Sequence, residues 1–333
     1  MKTLKNWTLQ KQSAHHVELL VDGQHTLCLY VLEANLFRVL IKRKGELALA
    51  RTWSIAPEED VPWEGRSRED LSGFSLPAWK LEQQQETLTV ESEQLRVTVH
   101  QPLWLEWHYR NEAGEWQWLA GDRPTSAYQI NAHGDGVAHY LSRKKEERFY
   151  GLGEKAGNLQ RTGQRYEMRN LDAMGYNAAS TDPLYKHVPF TLTRRDDVSY
   201  GLFYDNLSSC WLDLGNEIDN YHTAYRRWQA EAGDIDYYIF TGARALDVTK
   251  AFVRLTGKTL FGPKWSLGYS GSTMHYTDAP DAQNQLMNFI RLCEEHAIPC
   301  DSFQLSSGYT SINGKRYVFN WNYDKVPQPK VMS

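Results

Sequence analysis

A two-residue alternation of apolar and polar side chains runs through the first 150 residues and limits the folds open to the chain. Apolar residues occupy every second position over residues 27–31, 37–41 and 95–99. Successive side chains of a strand point to opposite faces of a sheet, so this spacing predicts half-buried strands. Polar segments at 91–94 and 111–114 predict hairpin turns. Because no convincing amphipathic helix occurs in this half, we expect an antiparallel β-sandwich.

The pattern changes late in the chain. Residues 245–257 carry apolar side chains at helical spacing, and residues 265–270 and 300–305 predict short strands. Between these strands we expect a helix with Asp278 as its N-cap and Pro280 in its first turn. Its apolar face consists of Ala282, Leu286, Phe289, Ile290, Cys293 and Ala297. The order strand, helix, strand predicts a parallel, right-handed βαβ unit.

These patterns divide the chain into three segments. We expect the β-sandwich over residues 1–243, a linker helix over 244–262 and the start of a (β/α)8 barrel over 263–333. A complete barrel takes about 250 residues, far more than the third segment supplies. The barrel is therefore expected to be incomplete in this chain.

Composition and charge exclude several classes of function. The chain is 41% hydrophobic, which is enough for a packed core, and its net charge of -4 gives no basic field for nucleic acid or an anionic membrane. No apolar run long enough for a signal peptide or a membrane span occurs, so we expect a cytoplasmic protein. The four cysteines form no CxxC motif and the histidines show no metal-ligand spacing. We therefore expect no metal and no other cofactor.

Residues 150–190 are dense in Gly, Arg, Asp, Tyr and Pro and show no apolar period. This composition predicts loops packed around a functional site rather than scaffold. The chain also has 12 Trp and 19 Tyr, whose flat rings can stack on sugar faces. A large β core with aromatic cross-strand pairs accounts for most of them equally well.

Five segments, in register, resemble glycoside hydrolase family 31, the family of α-glucosidases and α-xylosidases. They are FYGLGEK at 149–155, NLD at 170–172, DPLYKHVPF at 182–190, GPKWSLGY at 262–269 and PCDSFQLSSGY at 299–309. The resemblance covers the chain from about residue 140 onward. It implies a galactose-mutarotase-like sandwich followed by a catalytic (β/α)8 barrel. It also implies retaining hydrolysis of α-linked glucosides or xylosides, with an oligosaccharide or glycoside as the partner.

The same resemblance bears on catalytic groups and on Asp172. The two catalytic aspartates of the family lie on later barrel strands, and no residue here matches either motif. We therefore assign no catalytic residue and expect the chain to be inactive alone. Asp172 matches the sandwich-loop aspartate that reaches over the barrel mouth, where a carboxylate can accept hydrogen bonds from two sugar hydroxyls. A turn-capping aspartate is the alternative.

Further candidates for substrate binding lie in the barrel segment. Tyr269 and Ser272 mark the end of the first expected barrel strand, and Ser306, Ser307 and Tyr309 mark the end of the second. Barrel enzymes bind substrate at this face. Many family members carry an aspartate at or beside the Ser306 position to hold a sugar hydroxyl. Serine there implies a substrate set different from the usual glucose recognition.

The sequence leaves three functions open. The first is an α-glycosidase of family 31, for which this chain supplies the N-terminal part. The second is a non-catalytic sugar-binding or structural fragment, whose open barrel edge would favour association into a homo-oligomer. The third is a sugar epimerase on the sandwich, although no His and Glu pair stands out. An α-glucan lyase would share the same motifs as the first.

Overall fold

The computed structural model describes residues 1–57, 60–195 and 198–332 of the chain. The chain divides into two compact units, Met1–Lys258 and Thr259–Ser333. The sequence predicts three segments, with boundaries at residues 243 and 262, whereas this division has two units. The predicted boundaries therefore stay predictions.

The regular secondary structure of the first unit consists mainly of β-strands. In chain order these strands are β1 (Lys2–Thr3), β2 (Trp7–Gln12), β3 (His16–Val21), β4 (His25–Glu33), β5 (Leu36–Lys42), β6 (Arg51–Thr52), β7 (Arg66–Ser67), β8 (Lys80–Gln83), β9 (Thr87–Glu91), β10 (Leu95–His100), β11 (Trp104–Arg110), β12 (Trp116–Gly121), β13 (Tyr128–Ile130), β14 (Val137–Ser142), β15 (Arg148–Gly153), β16 (Arg165–Met168), β17 (His187–Arg195), β18 (Val198–Tyr204), β19 (Cys210–Asp213), β20 (Tyr225–Ala230) and β21 (Ile235–Gly242).

Within the described residues, three large sheets of this unit have eight, six and five strands. Their spatial orders are β15-β17-β18-β21-β5-β4-β3-β2, β1-β13-β14-β20-β19-β16 and β12-β11-β10-β9-β8. Neighbouring strands in all three sheets are antiparallel. The antiparallel sandwich that the alternation predicts is therefore confirmed.

The apolar residues that alternate along the strands form the main core. Leu88, Val90 and Val97 from the five-stranded sheet are fully buried, in one cluster with Val39 and Ile239 from the eight-stranded sheet. Burying a side chain of this size contributes roughly 1.5–3 kcal/mol to folding. This burial on alternate positions is what fixes the register of each strand.

The strands β4 and β5 are buried on both faces, whereas the alternation predicts half burial. Cys28 and Leu40 point away from the main core into a second apolar cluster. The helix α1 (Ala245–Thr256) covers this outer face and places Val248 and Leu255 in the cluster. A pattern within one strand cannot reveal this layer, because the covering residues come from a distant part of the chain.

Much of the aromatic content lies inside the sandwich. The ring of His139 stacks between Tyr128 and Tyr237, at centroid distances of 4.6 and 4.8 Å. Its two ring nitrogens lie 2.8 Å from the Tyr204 hydroxyl and 2.8 Å from the Asp122 carboxylate. Burial raises the pKa of Tyr128, so its hydroxyl stays protonated and able to donate. These rings are structural, as the β-core interpretation predicts.

The second unit contains a strand, helix, strand arrangement. Its elements in chain order are the 3₁₀ helix η1 (Lys264–Leu267), β22 (Ser270–Gly271), α2 (Met274–Asp278), α3 (Ala282–Glu295), β23 (Ser302–Phe303), the 3₁₀ helix η2 (Ser307–Thr310), β24 (Ser311–Ile312), β25 (Lys315–Arg316) and the 3₁₀ helix η3 (Pro329–Met332). β22 and β23 pair in parallel, which confirms the predicted parallel unit. The described residues form no closed barrel, as expected for an incomplete one.

Two local predictions in this unit are wrong. Residues 264–267 form η1 rather than the beginning of a strand. The long helix begins after Asp281, and Asp278 ends the short α2 instead of capping α3. The cause is Pro280, which disfavours a helical residue before it, and Ala279 is extended.

The apolar face of α3 is buried as predicted at Ala282, Leu286 and Cys293. Ala297 is exposed, because α3 ends at Glu295 and Ala297 adopts a left-handed conformation with φ of 53°. The predicted helix is therefore longer at its C-terminal end than the observed helix α3.

Candidate functional site

Asp172 lies in the long loop between β16 and β17, and its side chain is exposed. The hydroxyl of Tyr185 interacts with its carboxylate. Partial desolvation, and next the Asp172 charge, raise the pKa of Tyr185. The Tyr176 ring packs edge-on against Tyr185, with centroids 6.3 Å apart. Sugar binding and turn capping both stay predictions for Asp172.

Asp172, Tyr176 and Tyr185 form an exposed aromatic and acidic group on this loop. Both tyrosines keep much of their ring surface open, at 51% and 41% exposure. Apolar ring faces stack on sugars, while the carboxylate accepts hydroxyl hydrogen bonds. Neither tyrosine is among the site residues that the sequence predicts. The available signal was an aromatic side chain within a loop already rich in Gly and Asp.

The loop is held at its base by an ion pair between the buried Lys155 side chain and the exposed residue Asp182. Lys155 Nζ lies 2.7 Å from Asp182 Oδ1 and also donates to the carbonyl oxygen of Glu167, and the Lys155 side chain is only 1% exposed. The second Asp182 oxygen accepts from the Glu167 N–H at 2.6 Å. Lys155 and Asp182 both stand in segments that carry the family resemblance, and this contact gives them a structural role.

The Gly-Leu-Gly segment at 151–153 is part of strand β15, not of a loop, which corrects the prediction for this stretch. Both glycines have positive φ, 106° at Gly151 and 78° at Gly153. A Cβ on Gly151 would lie 2.5 Å from the Phe190 carbonyl oxygen, and one on Gly153 would lie 2.8 Å from the Val188 nitrogen. The glycines are therefore required for close pairing of β15 with β17.

In the second unit, three of the predicted residues share one edge. Ser272 directly follows β22, and Ser306 and Ser307 follow β23. Since β22 and β23 are parallel, residues after their carboxyl ends lie on the same side of the pair. Tyr269 instead directly precedes β22, and its carbonyl oxygen accepts from the Asp301 N–H at 2.9 Å. Its side chain is 53% exposed.

The turn η2 holds Ser307 and Tyr309 firmly. Gly308 packs so close to α2 that a Cβ there would lie 2.5 Å from the Asp278 nitrogen. Lys325 Nζ donates to the Gly308 carbonyl oxygen at 3.3 Å. The Tyr309 ring lies 4.8 Å from the Trp321 ring. Ser307 and Tyr309 flank Gly308, so the close packing of this glycine fixes their positions.

Within residues 1–57, 60–195 and 198–332, no three His, Cys, Asp or Glu side chains are arranged to hold a metal ion. In the same residues, no helix is long and apolar enough to cross a membrane.

Family models match both units of the chain. The glycosyl hydrolase 31 N-terminal galactose mutarotase-like domain matches residues 26–213, and the glycosyl hydrolases family 31 TIM-barrel domain matches residues 259–333.

Curated relatives include several α-glucosidases. Alpha-glucosidase 2 of Bacillus thermoamyloliquefaciens is 35% identical over 186 residues, covering 56% of this chain and 22% of the relative. The alpha-glucosidase of Saccharolobus solfataricus is 28% identical over 205 residues, covering 61% of this chain and 28% of the relative. The chain thus spans about a quarter of the length of these relatives.

Solved structures of the same family share the fold. A Flavobacterium johnsoniae family 31 dextranase complexed with isomaltotriose superposes with a TM-score of 0.77 and 25% identity, covering 98% of this chain and 36% of the dextranase. Glucosidase II alpha subunit gives a TM-score of 0.72 at 17% identity, which shows the fold alone. From the two matched domains, the chain belongs to glycoside hydrolase family 31.

Proposed function

We propose that this chain supplies the β-sandwich and the first barrel strands of a retaining α-glycosidase that acts on α-linked glucosides or xylosides. The observation that carries the proposal is the exposed group of Asp172, Tyr176 and Tyr185 on a loop of the family 31 sandwich. The names of the relatives support it, since they are α-glucosidases and a dextranase.

In this proposal Asp172 binds substrate and does not react with it. A carboxylate has two oxygens, so it can accept hydrogen bonds from two neighbouring sugar hydroxyls. Hydrogen bonds to a charged acceptor contribute roughly 1.5–3 kcal/mol each, more than neutral ones. The Tyr176 and Tyr185 rings supply the apolar surface beside the carboxylate. Together these side chains would form one wall of a sugar pocket.

Hydrolysis that retains the anomeric configuration requires two further carboxyl groups. One attacks the anomeric carbon to form a covalent glycosyl-enzyme, and the other protonates the leaving oxygen, with about 5–5.5 Å between them. We propose that neither is among these 333 residues, because none matches the catalytic motifs of the family. The chain alone would then bind sugar without hydrolysing it.

Ser306 is proposed to change which sugar is preferred. A serine hydroxyl can donate and accept, but it lacks the charge of an aspartate at that position. A sugar hydroxyl held there would lose a charge-assisted hydrogen bond. Ser272, Ser307 and Tyr309 provide neutral hydroxyls at the same side of the parallel pair, and Tyr269 is retained as a proposed contact.

A cytoplasmic location is also proposed. The cysteines among the described residues, Cys28, Cys210, Cys293 and Cys300, are all free thiols, which supports a reducing compartment. Association into a homo-oligomer stays a prediction.

The proposal is tested by binding to the whole chain. We would titrate wild type, Asp172→Asn and Asp135→Asn with p-nitrophenyl α-D-glucoside and α-D-xyloside, using isothermal titration calorimetry. Asp135 is the matched control, because its side chain is 85% exposed and lies in another loop. We expect Asp172→Asn to weaken affinity about tenfold, from the loss of a charged acceptor. Equal affinities for the three proteins would contradict the role of Asp172.

A further inference from the structure

A polar cleft of about 720 Å³ lies in the first unit beside the edge strand β16. Its volume is within the roughly 300–1,000 Å³ of small-molecule sites. Asp172, Tyr176 and Tyr185 do not line it. The lining residues are Ala156, Gly157, Asn158, Gln160, Thr162, Gln164, Arg165, Tyr166, Ala179, Ser180, Thr181 and Asp182.

One wall of the cleft is fixed by a buried guanidinium. Arg161 is 6% exposed, and its Nη1 donates to the carbonyl oxygens of Ala156 at 3.0 Å and Asn158 at 2.5 Å. Its guanidinium also lies 5.5 Å from the centre of the Tyr166 ring. These contacts hold the main chain of residues 156–158 in one conformation. A ligand would therefore meet a preorganised surface.

The opposite wall is fixed by a turn around Asn177. The Asn177 side chain accepts from the Ala179 N–H at 2.8 Å, and the Thr181 hydroxyl accepts from the Asn177 N–H at 2.8 Å. The two walls meet where the Gly157 N–H donates to the Ala178 carbonyl oxygen at 2.9 Å. Gly157 has a φ of 84°, which suits glycine.

The charges around the cleft do not balance. Asp182 is paired with Lys155 at 2.7 Å, so that carboxylate is already neutralised. Arg161 contacts carbonyl oxygens and a ring, and among the described residues it has no carboxylate partner. Arg165 is exposed at the start of β16, and no ion pair or side-chain hydrogen bond of it is found within the described part of the chain. Arg165 is therefore the lining cation without an ion pair among the described residues, although Asp213 lies opposite it on the neighbouring strand β19.

Neutral polar groups occupy the rest of the lining. The side chains of Asn158, Gln160, Gln164 and Ser180 are exposed, and none of them hydrogen-bonds another described residue. Amides and hydroxyls both donate and accept, as sugar hydroxyls require. A lone inorganic anion would use the guanidinium but leave these groups without a role.

We propose that this cleft is a second saccharide site that binds an acidic sugar, with Arg165 donating to the sugar carboxylate. The amides of Asn158, Gln160 and Gln164 and the hydroxyl of Ser180 contact the sugar hydroxyls. A planar guanidinium can donate two parallel hydrogen bonds to a carboxylate, which gives both strength and orientation. This site goes beyond the proposed glycosidase function, since it requires neither Asp172 nor hydrolysis.

The test uses the whole chain and three probes. Digalacturonate, its neutral counterpart galactobiose, and acetate are titrated at low salt by isothermal titration calorimetry. We expect digalacturonate to bind at least tenfold more tightly than either of the others. Its affinity should fall when salt is raised, because an exposed charge contact is screened.

Variants locate the site. Arg165→Leu should weaken digalacturonate at least tenfold, and Gln160→Ala should weaken it by a smaller factor. Arg148→Leu is the matched control and should leave affinity unchanged, because Arg148 is an exposed arginine on another edge strand, β15. Asp172→Asn should also leave digalacturonate binding unchanged.

Four results would overturn the proposal. They are no binding of digalacturonate, equal binding of galactobiose, equal binding of acetate, and unchanged affinity in Arg165→Leu. Loss of digalacturonate binding in Asp172→Asn would show that the two sites are one. Failure of Asp172→Asn to affect the glucoside would count against the proposed glycosidase function and leave this second site intact.

Discussion

The Arg38 guanidinium donates two parallel hydrogen bonds to the Asp236 carboxylate inside the first unit. Nε lies 2.8 Å from Oδ1 and Nη2 lies 2.7 Å from Oδ2. Arg68 Nη1 lies 2.7 Å from the same carboxylate and 2.7 Å from Asp205. The side chains of Arg38 and Asp236 are 3% and 0% exposed. These contacts join the neighbouring strands β5 and β21 and tie residue 68 to them.

Asp236→Asn is expected to destabilise the chain by about 3–5 kcal/mol, because it leaves the buried Arg38 guanidinium without its counter-charge, whereas Arg68 keeps Asp205. The free energy of unfolding would be measured in urea. Lys11→Met is the control, since Lys11 pairs with Glu18 at the surface and is 60% exposed. That change should cost no more than about 1 kcal/mol. Equal stability of the two variants would refute the structural role of Asp236.

Asp234 gives the first unit a pH dependence. Burial raises the pKa of Asp234 to about 6, although the Ala48 N–H donates to its carboxylate at 3.0 Å. The charge of Asp236 raises the pKa of Asp234 further, and the charge of Arg68 lowers it. Between about pH 4 and pH 6 the folded state binds more protons than the unfolded state, so stability falls as pH rises through this window.

We therefore expect Asp234→Asn to match wild type near pH 4 and to exceed its stability above pH 6. The gain would be up to about 3 kcal/mol, the free energy that corresponds to a pKa shift of roughly two units. Unfolding in urea would be measured from pH 4 to pH 8. Asp135→Asn, on an exposed side chain of the same surface, should follow wild type at each pH. A constant difference across the range would argue against titration of Asp234.

Lys155→Met is expected to destabilise the first unit by about 1 kcal/mol, since the Asp182 carboxylate that loses its partner remains open to solvent. It should also speed proteolytic cleavage within residues 170–186, the loop that carries Asp172. Urea unfolding and limited proteolysis with mass analysis would measure both effects. Lys145→Met changes an exposed lysine and serves as the control. Unaltered cleavage in Lys155→Met would mean that the pair does not anchor the loop.

Gly308→Ala should disturb the second unit. The added methyl would meet main-chain atoms of Thr277 and Asp278 at 2.5 Å, and a backbone cannot move aside as a side chain can. Overpacking of this kind costs about 1–3 kcal/mol. Gly262→Ala is the control, because its closest contact is the flexible Ser266 hydroxyl at 3.0 Å. Two-dimensional NMR of the chain should show shifts around Ser307 and Tyr309 in the first variant only. Unperturbed signals there would exclude the close contact.

The strands and the βαβ unit could be predicted from sequence because their signals are local. Alternation over residues 37–41 lies within β5, and helical spacing gives the buried face of α3. The second apolar layer over β5, the pairing of Lys155 with Asp182 and the group around Tyr185 could not be predicted. Each depends on residues that only the folded chain brings together.

For the candidate site too, the sequence identifies a residue but not its contacts, as Asp172 shows. The family resemblance identified it by residue number, whereas its contact with Tyr185 needed the structure. Asp278 shows the converse. Local capping rules favoured it as a helix start, and the effect of Pro280 on Ala279 moved the start to Ala282.

The most direct measurement of the central claim is a saturation-transfer ¹H NMR time course of p-nitrophenyl α-D-glucoside with the purified 38.6 kDa chain. One series of spectra reports both binding and turnover. We predict saturation transfer to the glucosyl protons and no new anomeric signals. Absence of transfer would contradict the sugar-binding wall around Asp172. Appearance of free glucose would contradict the claim that the catalytic carboxylates are not among these residues.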